Sequence, residues 1–136
     1  MNKEEVIDLI RDAGFGMLAT SDGKQARVRP MMPYLTDDGK LLVPLLGRSR
    51  SINQIKENPQ VEICFVDRKM WYARITGKAQ LSQDKSYKSI LWDNIPMLKQ
   101  YFGGIEDPNF HLILVEIQDI EAMTPHQKVP EKIKLS

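Results

Sequence analysis

The residues in this chain best suited to chemistry are arginines, and they come in two closely spaced groups, Arg27-Val28-Arg29-Pro30-Met31 and Gly47-Arg48-Ser49-Arg50-Ser51. Side chains alternate along an extended segment, so Arg27 and Arg29 share one face about 7 Å apart. Arg48 and Arg50 stand in a Gly/Ser-containing loop that opens a helical pattern, where unpaired backbone N–H groups favour an anion. Guanidinium forks beside free N–H groups suit a phosphate monoester. Brought together, the two groups would bind a phosphorylated ligand. Kept apart, Arg27 and Arg29 are arginines on the wet face of a strand, and Ser51 is a helix cap.

Other chemistries find less support. His111, His126 and Cys64 are the nitrogen and sulfur ligands available, and none pair at metal-ligand spacing, so no metal site is expected. No nucleophile-elbow pattern singles out a serine. His111 lies in an alternating apolar run and reads as a structural histidine. No strand precedes Gly103-Gly104, which excludes a dinucleotide fingerprint there. Trp71 and Tyr72 either stack on a flat ring or simply pack. Cys64 sits in the apolar run Val61 to Val66 and reads as a small buried core residue. The formal net charge of +1, from 19 basic and 18 acidic residues, argues against nucleic acid as a partner. The N-terminus shows no apolar leader and no run reaches membrane-spanning length; with a single cysteine, the expected location is cytoplasmic, away from membranes.

The elements that would position these residues follow from periodicity. A length of 136 residues suggests one domain, 1–136, with a polar tail over 124–136. Residues 3–12 have an amphipathic helical pattern that Gly14 ends. Strands are expected over 15–20, 25–35 and 41–46, separated by Asp22-Gly23 and by Thr36-Asp37-Asp38-Gly39. As an antiparallel meander they would make the two arginine groups neighbours. Pro30 and Pro33 each remove a backbone donor, implying an edge, a bulge or a departure from the neighbouring strand. Ser51-Ile52-Asn53-Gln54 has capping-box spacing for a short helix stopped by Asn58-Pro59. Strands over 61–67 and 70–81, helices over 84–93 and 97–102, and a last strand over 110–117 complete the chain. The result is a mainly β protein with short α-helices and about six antiparallel strands, closed into a small barrel that hides its edges. So small a barrel leaves little room inside, which places a ligand outside it or at a subunit seam.

In this order and spacing, several segments resemble the pyridoxamine 5'-phosphate oxidase-like, FMN-binding split-barrel superfamily, in particular its short general-stress-protein-26-like branch. The resemblance rests on Ala26-Arg27-Val28-Arg29-Pro30-Met31, Ser49-Arg50-Ser51-Ile52-Asn53-Gln54-Ile55, Glu57-Asn58-Pro59-Gln60-Val61, Thr76-Gly77-Lys78-Ala79, Leu91-Trp92, Met97 to Phe102 and Asp107-Pro108-Asn109-Phe110. It implies a six-stranded split barrel forming a homodimer, with FMN in clefts at the subunit interface and a small-molecule substrate. Carried over by position, Arg27, Arg29, Ser49, Arg50 and Ser51 would line the phosphate end. Val28, Pro30, Met31, Pro44 and Leu45 would lie along the flavin, and Tyr72 would contact the ring. The implied activity is an FMN-dependent oxidoreductase with no assigned acid or base, because the flavin does the redox chemistry. The alternatives are a non-catalytic flavin-binding or sensing protein, or the same fold holding a deazaflavin or haem. Three departures from the family pattern stand out. Ser51 replaces a lysine, Leu45 replaces a hydroxyl residue, and Ile120-Glu121-Ala122-Met123-Thr124 lacks a tryptophan. Residues 125–136 also lack the Arg/His substrate motif of the true oxidases, so pyridoxamine 5'-phosphate oxidase activity itself is not expected.

Overall fold

A computed structural model describes residues 1–135; Ser136, the last residue of the expected tail, lies outside the described residues. The chain opens with helix α1 (Lys3–Ala13), whose start is fixed by a capping box. The Asn2 side chain accepts from the Glu5 N–H, and the Glu5 carboxylate accepts from the Asn2 N–H. Strands β1 (Gly16–Ser21) and β2 (Ala26–Met31) form a hairpin across Gly23, which adopts φ +90°. The short β3 (Tyr34–Leu35) and β4 (Leu41–Leu46) form a second hairpin across Gly39, at φ +86°. Helix α2 (Arg50–Glu57), strands β5 (Gln60–Val66) and β6 (Tyr72–Ser82), helix α3 (Lys85–Asn94) and a 3-10 turn (Pro96–Gln100) follow. The long β7 (Phe110–Met123) and the short β8 (Glu131–Lys132) end the fold.

All pairings are antiparallel, in the order β2-β1-β5-β6-β7-β4-β3, with β8 added beside β7. The sheet curls into a half-barrel. Two of the eight strands among the described residues are only two residues long, so the six longer ones match the expected number. The expected three-strand meander does not form. The run over 25–35 divides at Met32-Pro33: its first half pairs with β1 at one edge of the sheet, and its second half joins β4 near the other. Pro33 offers no N–H to continue the first ladder, which fits the division. The arginine groups are therefore not on adjacent strands.

The last strand is longer than its apolar run. At Thr76/Gly77 the register of β6 on β7 shifts, and β7 continues past the polar Glu116, Gln118 and Asp119 to Met123. A Cβ on Gly77 would lie 2.4 Å from the Glu116 carbonyl oxygen, so only glycine lets the strands approach so closely. The tail is not wholly without structure, since Glu131 and Lys132 pair with Ala122 and Glu121.

Two apolar clusters hold the sheet. The inner one joins Leu18, Leu41, Val43, Leu45, Ile63, Phe65, Ile75, Ile113 and Val115, and α1 and α2 close it with Val6, Leu9, Ile10, Ile52 and Ile55. The second lies against the opposite face of β4 and β7. There Leu42, Phe110 and Leu112 meet Leu91, Leu98 and Phe102 from α3 and the segment after it. Strand β4 is thus covered on both sides, as its unbroken apolar sequence requires. No helix among the described residues is long and apolar enough to cross a membrane.

Candidate functional site

The register of the first hairpin sets the direction of the arginines. Arg27 lies opposite Thr20, Arg29 opposite Leu18 and Met31 opposite Gly16, and cross-strand partners share a face. Leu18 and Thr20 are buried toward the inner cluster, so Arg27, Arg29 and Met31 point inward, while Val28 and Pro30 point outward. Val28 is 61% exposed.

Arg29 is the half-buried member of the pair. One of its terminal nitrogens donates to the Thr20 hydroxyl at 2.8 Å and to the Leu18 carbonyl at 3.2 Å. The other donates to Gln54 Oε1 on α2, which also accepts from the Thr20 hydroxyl at 2.6 Å. Burial, and secondarily the nearby Arg27, lowers the pKa of Arg29 from its ordinary value. Gln54 follows Arg50 by four residues and so occupies the same helix face. The second strand's arginines are thus tied to the helix that carries Arg50 without being its strand neighbours: α2 packs on β1, and Arg29 reaches across to Gln54.

The residues from Leu46, which ends β4, to Ser51, in the first turn of α2, shape the start of that helix. Ser49 is the N-cap; its hydroxyl accepts from the Ser51 N–H at 3.2 Å. The expectation that Ser51 caps this helix is corrected, because Ser51 lies inside the first turn and is only 2% exposed. Gly47 donates its N–H to both the backbone and the side-chain oxygen of Asn109, at 2.9 and 3.1 Å. Asn109 is placed by Asp107, whose carboxylate accepts from the Asn109 and Gly103 N–H groups. These backbone N–H bonds, Gly103 first, hold the Asp107 pKa below the ordinary carboxylate value.

Arg27, Arg29, Arg48 and Arg50 form no ion pair among the described residues, whereas Arg11, Lys40, Arg74 and Lys85 do. Arg48 and Arg50 stand at the start of α2 and Arg29 is bonded to Gln54 further along the same helix; guanidinium groups without a carboxylate partner are of the kind that accept an anion.

Other expected site residues are placed differently. Pro44 and Leu45 are buried, and Leu45 belongs to the inner cluster, so β4 can offer a ligand little beyond its backbone. Tyr72 alternates with the buried Ala73 and faces outward, its hydroxyl 3.4 Å from Met123 Sδ. Its side-chain contacts among the described residues are with Met123 and Arg74, not with Arg27, Arg29, Arg48 or Arg50. Cys64 is not the expected core residue: it lies half-buried on the outer face of β5, where burial pushes its thiol pKa up. A raised pKa keeps it largely as the unreactive thiol. No group of three or more His, Cys, Asp or Glu that could hold a metal occurs among the described residues. Sequence reasoning missed Thr20 and Gln54. The available signals were the inward phase of Thr20 with Leu18 and the four-residue spacing of Gln54 from Arg50.

A single antiparallel sheet curled into a half-barrel, with short helices packed against it, defines a protein of the split-barrel class. The chain belongs to the family described as pyridoxamine 5'-phosphate oxidase like, whose pattern it matches over residues 1–130. It is 26% identical over 140 residues to general stress protein 26 of Bacillus subtilis, covering 98% of this chain and 96% of that protein. The crystal structure of General Stress Protein 26 from Bacillus anthracis superposes with a TM-score of 0.81 at 28% identity, covering 98% of both chains. A haem-binding protein from Mycobacterium smegmatis shares the fold, with a TM-score of 0.78 at 13% identity over 96% of this chain and 56% of that one.

Proposed function

We propose that this protein binds FMN and acts as an FMN-dependent oxidoreductase on a small molecule, as a homodimer with the cofactor in clefts between subunits. The observation that supports this reading is a set of arginines with no ion pair among the described residues, Arg48 and Arg50 at the start of α2 and Arg29 bonded to that helix through Gln54, which suits the FMN phosphate. Arg27 and Arg50 would hold phosphate oxygens, with Ser49 shaping the loop and Arg29 fixing α2 against the hairpin. Bound flavin would supply hydride or electron transfer. The protein's own part is to bind and orient it. The outer face of β1, β2 and β5 supports the subunit arrangement: Met17, Val28 and Val66 are 43, 61 and 46% exposed there, forming apolar surface of the kind a partner covers. Tyr72 and Val28, which face outward, would then meet the cleft of the opposite subunit.

The test is the visible spectrum of freshly purified protein, with mass identification of any released chromophore, followed by FMN titration of stripped protein. Flavin absorption bands or saturable FMN binding support the reading; failure to bind added FMN defeats it. The haem-binding neighbour motivates a parallel haemin titration, and a Soret band with no flavin binding would transfer the site to haem.

A further inference from the structure

Beside Gly47, a chain of polar contacts runs through residues outside the two arginine groups. Lys88 is 6% exposed and forms no ion pair among the described residues. Its Nζ donates to Gln83 Oε1 at 2.6 Å and lies 5.6 Å from the centroid of the Phe110 ring. Gln83 Nε2 is 2.9 Å from His111 Nδ1. An ammonium group can only donate, so it meets the amide oxygen of Gln83 and leaves the NH2 group for His111. That NH2 can also only donate, so Nδ1 must accept. A neutral His111 therefore carries its proton on Nε2.

The Nε2 edge faces the loop. A Cβ on Gly47 would lie 2.9 Å from Nε2 and 3.0 Å from Cδ2, so the absence of a side chain there makes room for the ring. His111 stands opposite Leu45, one residue before the end of β4. Its Nε2 has no hydrogen-bond partner among the described residues, yet it is not sealed off. Among the described residues, Arg74 Nε is the buried side-chain nitrogen or oxygen left without a partner.

We propose that Lys88 and Gln83 lock His111 as the Nε2–H tautomer, so that it offers a fixed donor to an oxygen acceptor of the ligand held by the Gly47–Ser51 loop. The inference rests on the FMN-cleft reading. His111 is then a ligand contact, and Gln83 and Lys88 are positioning residues.

Gln83→Glu is the informative variant. Its carboxylate still pairs with Lys88 but can only accept, so it draws the neutral imidazole proton to Nδ1 and leaves Nε2 an acceptor. Long-range proton–nitrogen NMR spectra of ligand-free protein, recorded where the ring is neutral and assigned by loss of the signal in His111→Ala, read this directly. The expected result is Nε2–H in the wild type and Nδ1–H in Gln83→Glu. Both Gln83→Glu and His111→Ala should weaken FMN by roughly three- to tenfold, the worth of a neutral hydrogen bond. Riboflavin separates the sources of the acceptor: the loss disappears with riboflavin if the acceptor is phosphate and persists if it belongs to the ring or ribityl chain. An Nδ1–H wild type, or unchanged FMN affinity in both variants, overturns the proposal. A wild type that binds no FMN defeats the cleft reading and the ligand contact together. The tautomer lock is still decided by the ligand-free spectra.

Discussion

Replacing Arg29 with methionine keeps the bulk of the side chain but removes its three donated hydrogen bonds, to Leu18 O, Thr20 Oγ1 and Gln54 Oε1. The Thr20 and Gln54 side chains left behind are not orphaned, because Thr20 still donates to Gln54 at 2.6 Å. Hydrogen bonds from a charged donor are worth about 1.5–3 kcal/mol each before offsets. Two offsets act against them: burial of the guanidinium and repulsion from Arg27, the same causes that lower the Arg29 pKa. The net cost to stability should therefore be only about 1 kcal/mol. With an unfolding entropy of about 2.1 cal/mol/K per residue, that corresponds to a fall in Tm of about 3–4 °C for a chain of this length. FMN affinity should fall further, by about tenfold or more, because α2 loses one of its two side-chain ties to the hairpin and the phosphate would lose a nearby cation. Thermal denaturation and FMN titration of the same preparation measure both. A Tm drop beyond about 10 °C with unchanged FMN affinity would refute the reasoning and make Arg29 a purely structural residue.

Further expectations follow from the packing and from the loop beside the site. Gly77→Ala places a Cβ 2.4 Å from the Glu116 carbonyl oxygen, and overpacking of that kind costs about 1–3 kcal/mol. A Tm lowered by about 4–10 °C is expected, and an unchanged Tm would contradict the bulge geometry. Asp107 is held below its ordinary pKa of 3.8 by the Gly103 and Asn109 N–H groups, so its stabilising effect is present above that value and lost as pH falls through the folded-state pKa. Asp107→Asn should accordingly lower Tm at neutral pH, with the gap to wild type closing in acid; a gap independent of pH would remove the carboxylate from the account.

Local chemistry made much of this fold legible. The Asp-Gly turns, the amphipathic first helix and the unbroken apolar run of β4 each specify their element within a few residues. The division of the second strand at Pro33 was visible only as a missing donor; where the chain went next depended on which sheet edge was open. The length of β7 was hidden because a bulge lets polar residues continue a strand that periodicity alone would stop. Ser49 and Ser51 both offer a hydroxyl, and the backbone path, not their identity, decides which caps α2. At the candidate site, the arginines suggest an anion through their type and spacing. The tie of Arg29 to α2 through Thr20 and Gln54 depends on α2 packing over β1, a tertiary contact with no local signature. The inward and outward phases of β2 and β6 likewise separate Arg29 from Val28 and Tyr72.

The central claim is that the arginines around α2 recognise a phosphate. It is tested most directly by calorimetric titration of wild type and Arg50→Ala with FMN and with riboflavin, which lacks that group. Wild type should favour FMN by at least about tenfold, and Arg50→Ala should weaken FMN by about ten- to a hundredfold while leaving riboflavin nearly unchanged. Equal affinity of wild type for the two flavins, or an Arg50→Ala protein that binds FMN as wild type does, would contradict the account.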